Sequence, residues 1–72
     1  MGELEALSII VGRTVALFPK NVASMLVKNG VRVDAENYNS EELISATFDG
    51  LKTSQGFFND FVNFVELNKE VI

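Results

Sequence analysis

The chain has no cysteine, no histidine and no tryptophan, only one proline, and no acidic residue between Glu5 and Asp34. Each absence removes a class of chemistry. Without cysteine there is neither a disulfide to staple a small fold nor a thiolate nucleophile, and without histidine the commonest general base is missing too. A structural zinc site loses its usual ligands. A Ser–Lys nucleophile would need a partly desolvated lysine that no local pattern provides, so the chain is not expected to be an enzyme.

Phosphate-cradling motifs are also missing: neither GxGxxG nor GxxxxGK[ST] occurs. Gly12 reads as a packing notch, Gly30 as a helix stop, and Gly50 and Gly56 as turn or helix-end positions. No apolar run is long enough to cross a bilayer, since Leu4 to Phe18 is fifteen residues at about 1.5 Å each against a hydrocarbon core of about 30 Å. No membrane span is expected. The opening Met1-Gly2-Glu3-Leu4-Glu5 lacks the positive region of a secretory signal. The expected setting is therefore cytoplasmic, not secreted.

The acidic gap is occupied by Arg13, Lys20, Lys28 and Arg32, whereas from Asp34 onward eight carboxylates face only Lys52 and Lys69. Charge is split along the chain. Opposite patches steer association, and a head-to-tail arrangement of copies is the geometry this split suggests. A formal net charge of −4 and a pI of about 4.5 argue against nucleic-acid binding by the whole surface, which needs a clustered positive footprint. Arg13, Lys20, Lys28 and Arg32 remain candidates for a small basic face, with plain solvation as the alternative.

What is abundant is apolar surface. Seventy-two residues make one domain with a small interior, yet 47% are hydrophobic and mean hydropathy is +0.19. Some apolar side chains must then reach the surface.

At 100° per residue Leu4, Leu7, Val11, Val15 and Phe18 form one stripe, widened by Ile10 and Leu17, with Glu5, Ser8 and Gly12 opposite. Pro19 either ends that helix or begins the next, because it lacks an amide proton but suits a first turn. A second helix directs Val22, Met25 and Leu26 inward and stops at Asn29, where Gly30 can take the left-handed conformation and Val31 folds back. Val31-Arg32-Val33 is an extended link, followed by a polar turn segment. Asn39 or Ser40 caps a third helix, with Glu41 and Glu42 suited to the positive end of its dipole rather than to acid–base catalysis. Thr53 or Ser54 caps a fourth, in which Phe57, Phe58, Phe61, Val62, Phe64, Val65, Val71 and Ile72 fall within an arc of about 180°. So wide an arc rarely finds enough cover within 72 residues: either all of it is core, or one edge, Phe58 and Val62 or the terminal Val71-Ile72, is covered by another chain. The edge residues Phe58, Val62, Val71 and Ile72, with Ile10 and Leu17 from the first helix, are the candidate protein interface.

The oxygen-rich run Asp34 to Ser40 fails as a calcium loop: Asn39 stands where glycine is needed, and Ser45 where a bidentate Glu is needed. No metal and no cofactor is implied. The stretch Val22 to Leu51 runs as helix, then Asn29-Gly30-Val31-Arg32-Val33-Asp34, then a helix beginning Glu41-Glu42-Leu43-Ile44. It resembles the helix-extended-helix arrangement of SAP-like nucleic-acid-binding modules. That resemblance implies a local shape for less than half of the chain. In the family a basic residue precedes the leucine of the second helix, whereas here Glu41 and Glu42 would repel a phosphate.

The sequence thus predicts an all-α, orthogonal bundle of four short helices, near 3–18, 19–29, 40–52 and 54–70, with an extended link at about 30–39 and the Phe-rich last helix central. The expected function is a non-enzymatic interaction or assembly module, an oligomer or a subunit of a larger complex whose partner is protein, either itself or another subunit. Small, cysteine-free helical chains without a catalytic site are common among viral and phage structural or assembly proteins, which makes a virion part the most specific expectation. The alternative is a nucleic-acid-associated regulator built on residues 22–51.

Overall fold

Pro19 decides the first turn of the architecture. Its ring fixes φ and removes an amide that a helix interior would need, so the apolar run breaks before it and restarts with proline in the first turn. The result is α1 (Glu3–Leu17) and α2 (Pro19–Lys28), whose axes turn by 106° across the break. Two further helices follow, α3 (Ser40–Thr53) and α4 (Gln55–Leu67), and no strand forms among the described residues. The structure is a computed structural model that describes residues 3–34 and 36–72, with side-chain surroundings from residue 5 onward. The expected place of Leu4 in the core stripe, and Ala35 in the polar turn, lie outside those limits. No single helix among the described residues is long and apolar enough to cross a membrane.

The C-terminus of α2 closes as expected. Gly30 has φ +76°, the Gly30 amide donates to the Val27 carbonyl (3.0 Å), and the Val31 amide donates to that of Leu26 (2.9 Å). This crossed pair is a Schellman closure, and Val31 packs back on the core as the motif favours. In the link beyond, Val33 and Tyr38 also rest against the core, while Asp34 Oδ1 accepts from the amides of Glu36 and Asn37, both at 3.0 Å. Asn39 is the cap of α3: its Oδ1 accepts from the Glu42 amide at 2.8 Å, and its Nδ2 donates back to Glu42 Oε1 at 3.3 Å. At α4 the cap is Ser54, whose Oγ accepts from the Phe57 amide at 3.1 Å.

The core is Val11, Val15, Val22, Ala23, Leu26, Leu43, Phe57 and Phe61. Burying each ring or branched chain contributes on the order of 2 to 3 kcal/mol. Thr14 and Thr47 are buried with them, and each hydroxyl donates to a carbonyl of its own helix one turn back, Ile10 and Leu43, at 2.7 Å. A buried polar group is tolerable on that condition.

Three expectations change. The helices that pack on all the others are α2 and α3, not the Phe-rich α4. Only Phe57 and Phe61 of α4 are fully buried, because α1 and α4 make the weakest of the helix–helix contacts and leave the rest of the wide arc partly open. Next, α4 ends at Leu67 rather than 70: the Asn68 side chain donates to the Phe64 carbonyl (2.8 Å), and its own carbonyl receives the amides of Val71 and Ile72 (both 3.0 Å). Val71 and Ile72 therefore sit on a turn beyond the helix. Finally, the glycine roles exchange. Gly12 has open space where a Cβ would stand, whereas a Cβ on Gly50, inside α3, would lie 2.8 Å from Phe57 Cδ2 and 3.1 Å from Leu26 Cδ2. Gly50 is the packing notch.

Candidate functional site

The splay of α1 from α4 opens an apolar groove. Its deeper part is a cavity of about 290 Å³ walled by Leu7 and Ile10 of α1, Leu51 of α3, and Phe58, Phe61, Val62, Val65 and Glu66 of α4. Ile10 and Val65 carry it into a second cavity of about 280 Å³, lined also by Ile9, Arg13, Lys69 and Ile72. The deep part is walled by hydrocarbon with one carboxylate at its edge. The far end is lined by two cationic side chains and no acidic side chain.

The groove is lined by side chains that a solvated surface does not favour. Phe58 is 44% exposed, Val62 43% and Ile9 57%, contiguous rather than scattered. Contiguous apolar exposure marks binding surfaces, whereas single exposed residues such as Leu67 and Val27 need no such account. Phe18 and Phe64 close one side of the molecule through an edge-to-face contact at 5.1 Å, which keeps both rings half-buried.

Of the six interface candidates from sequence, the fold brings Ile10, Phe58, Val62 and Ile72 to this groove. Leu17 and Val71 are exposed but line neither of its cavities; Val71 borders a separate shallow depression over residues 66–71. Ile9 was missed. The signal was present, because Ile9 lies within about 40° of Glu5 on the helix wheel, opposite the core stripe, where an isoleucine is out of place.

The four basic candidates do not converge. Arg13 stands at the groove's end beside Lys69. Lys28 Nζ lies 3.6 Å from Asp60 Oδ2, an exposed pairing worth little by itself. Arg32 lines a broad depression together with Glu41, Glu42 and Asp49. Lys20 is exposed in the first turn of α2, two turns from Lys28.

Asp60 anchors α4 to the end of α2. Asn29 Nδ2 donates to Asp60 Oδ2 (3.0 Å) and to the Met25 carbonyl (2.8 Å), so one amide closes a helix and ties it to another. The Asn29 hydrogen bond, opposed by partial desolvation and assisted by the nearby Lys28 ammonium, holds the Asp60 carboxyl below its usual range. This is a structural tie rather than a reactive group, since Asp60 lines neither cavity of the groove. Among the described residues no three carboxylates gather as a cation site, and no buried side-chain polar atom lacks a partner. What the arrangement presents is a contiguous apolar surface with charge at its two ends.

Compared with models of protein families, with curated proteins and with solved structures, the chain matches none.

Proposed function

We propose that this chain is a non-enzymatic helical interaction module, a subunit that works by receiving another protein chain in the apolar groove between α1 and α4. The observation that carries the reading is the contiguity of Ile9, Ile10, Phe58, Val62 and Val65 along that groove, with Phe58 and Val62 close to half exposed. Burying a partner's apolar face there releases the water these side chains now order, at roughly 25 cal/mol per Å². Grooves between two helices suit an amphipathic helix, whose anchors repeat at i, i+3, i+4 and i+7. Size, composition and the lack of catalytic groups favour a viral or phage structural or assembly component as the setting.

The nucleic-acid alternative draws no support from the placement of the basic residues. Lys28 is engaged by Asp60, and Arg32 shares its depression with three carboxylates, so a phosphate would meet mixed charge. A photo-reactive phenylalanine analogue at position 58 tests the docking reading, with the same analogue at Lys20 as control. Crosslinked protein is expected from position 58 and not from position 20. Equal yields from both positions, or none from either, would overturn it.

A further inference from the structure

We infer that the partner at the basic end of the groove is a second copy of this chain, docked two-fold through the outer face of α1. The inference rests on the interaction-module reading and names its partner.

The outer face of α1 is unusual for a solvated helix. Its core side holds Val11, Thr14 and Val15, all buried, yet the side turned away carries Ala6, Ile9 and Ala16 where a solvated helix would carry charge. Among the described residues of the helix Ile9 is the most exposed large apolar one, at 57%, and Gly12 beside it has nothing within 4 Å of where a Cβ would stand. A neighbouring helix can approach there without a clash.

The charges on this face then select the occupant. Lys69 of the C-terminal turn adds a further cation at the groove end, but from residue 5 onward in α1 only Glu5 and Arg13 are ionised, and each lies four residues from Ile9. On a helix that places them one turn before and one turn after Ile9, about 40° to either side. If a second α1 crosses antiparallel with Ile9 against Ile9, the two-fold axis brings Glu5 of each copy level with Arg13 of the other. Two reciprocal ion pairs then bracket an apolar centre, which is the self-complementarity that an isologous interface requires. Among the described residues Arg13 makes no ion pair, and it lines the groove end with Ile9, Ile10, Val65, Lys69 and Ile72. Because Ile9 and Arg13 line that end, the second copy also covers it.

This geometry replaces the head-to-tail arrangement suggested by the linear charge split. That arrangement needed the whole basic stretch as one surface, and Lys28 and Arg32 already face carboxylates of their own chain.

Sedimentation equilibrium on the full chain, across a concentration series with circular dichroism at each step, tests the proposal. A dimer mass is expected for the native chain. Ile9→Asp is expected to give a monomer of unchanged helicity, since Ile9 is not part of the core. Arg13→Glu and Glu5→Arg should each weaken the dimer roughly tenfold or more, and the double variant should regain it. A native chain that stays monomeric throughout, a dimer indifferent to Ile9→Asp, or a double variant no better than the singles would overturn the proposal. A monomer that still gives position-58 crosslinks to a different protein would sink the dimer and leave the module standing; a monomer with no such crosslinks would sink both.

Discussion

Two helical glycines of this chain should respond differently to the same substitution, one gaining stability and the other gaining none or losing some. Replacing glycine by alanine in a helix interior is worth about 1 kcal/mol in propensity, and that gain applies to Gly12 in α1 and to Gly50 in α3. Their surroundings differ. A methyl on Gly12 enters open space, so Gly12→Ala should stabilise by about 1 kcal/mol. On Gly50 it arrives 2.8 Å from Phe57 Cδ2, 3.2 Å from Phe57 Cε2 and 3.1 Å from Leu26 Cδ2. Both neighbours are completely buried, so neither can swing into solvent to make room. Overpacking of this kind costs about 1 to 3 kcal/mol, which cancels or exceeds the propensity gain. The propensity term drops out of the comparison, leaving Gly50→Ala less stable than Gly12→Ala by the packing cost alone. For a domain of this size each kcal/mol moves Tm by about 4 to 8 °C, so the two melting curves should separate by at least about 4 °C. Thermal and urea unfolding by circular dichroism read this directly, in the Ile9→Asp background so that association does not enter. Equal stabilisation by both substitutions would refute the assignment of Gly50 as the close-approach point of α3 on α2 and α4.

Capping makes a second comparison: Asn39→Ala should lose about 1 kcal/mol because the Glu42 amide loses its acceptor, whereas Ser40→Ala, whose hydroxyl caps nothing, should stay within about 0.5 kcal/mol of the native chain. Urea midpoints would measure both, and an equal loss at the two positions would show that the cap is misassigned. The third concerns acid. Because Asn29 and Lys28 favour the ionised Asp60, its folded-state pKa is depressed, so the contribution is present at neutral pH and lost as pH falls through that lowered value. Asp60→Asn keeps an acceptor for Asn29 but cannot titrate. Native and variant stabilities should converge on the acid side, and curves that remain parallel down to the lowest pH would contradict the role given to this carboxylate.

Several features were legible residue by residue because their causes are local. A proline in the first turn, a glycine at φ +76° after a helix end, and an asparagine three residues before the amide it accepts are each decided within one or two turns of chain. The apolar stripe of α1 and the helix starts at residues 19, 40 and 55 follow for the same reason. Of the four interface candidates that meet in one groove, Phe58, Val62 and Ile72 stand out because they edge an apolar arc of about 180°, and Ile10 because it widens the stripe of α1.

Other features depended on distance through space. Periodicity marks a face as apolar but does not say which other helix lies on it. It therefore could not tell that α2 and α3 rather than α4 would touch every other helix, or that Phe57 would be enclosed while Phe58 beside it stayed 44% exposed. The exchange of roles between Gly12 and Gly50 has the same origin, since a notch exists only relative to the ring that fills it. The basic stretch from Arg13 to Arg32 is continuous as text, yet a 106° turn at Pro19 and the return of α3 and α4 set its members against separate neighbours. The identity of the four helices and the stop at Gly30 belonged to the amino-acid sequence because they are settled by dihedral preference and hydrogen bonds a few residues apart, whereas the choice between neighbouring caps and the end of α4 at Leu67 emerged only with the structure. Which apolar faces were covered, and which charges found partners, belonged to the tertiary structure, because burial and Coulomb energy depend on how segments distant along the chain come together.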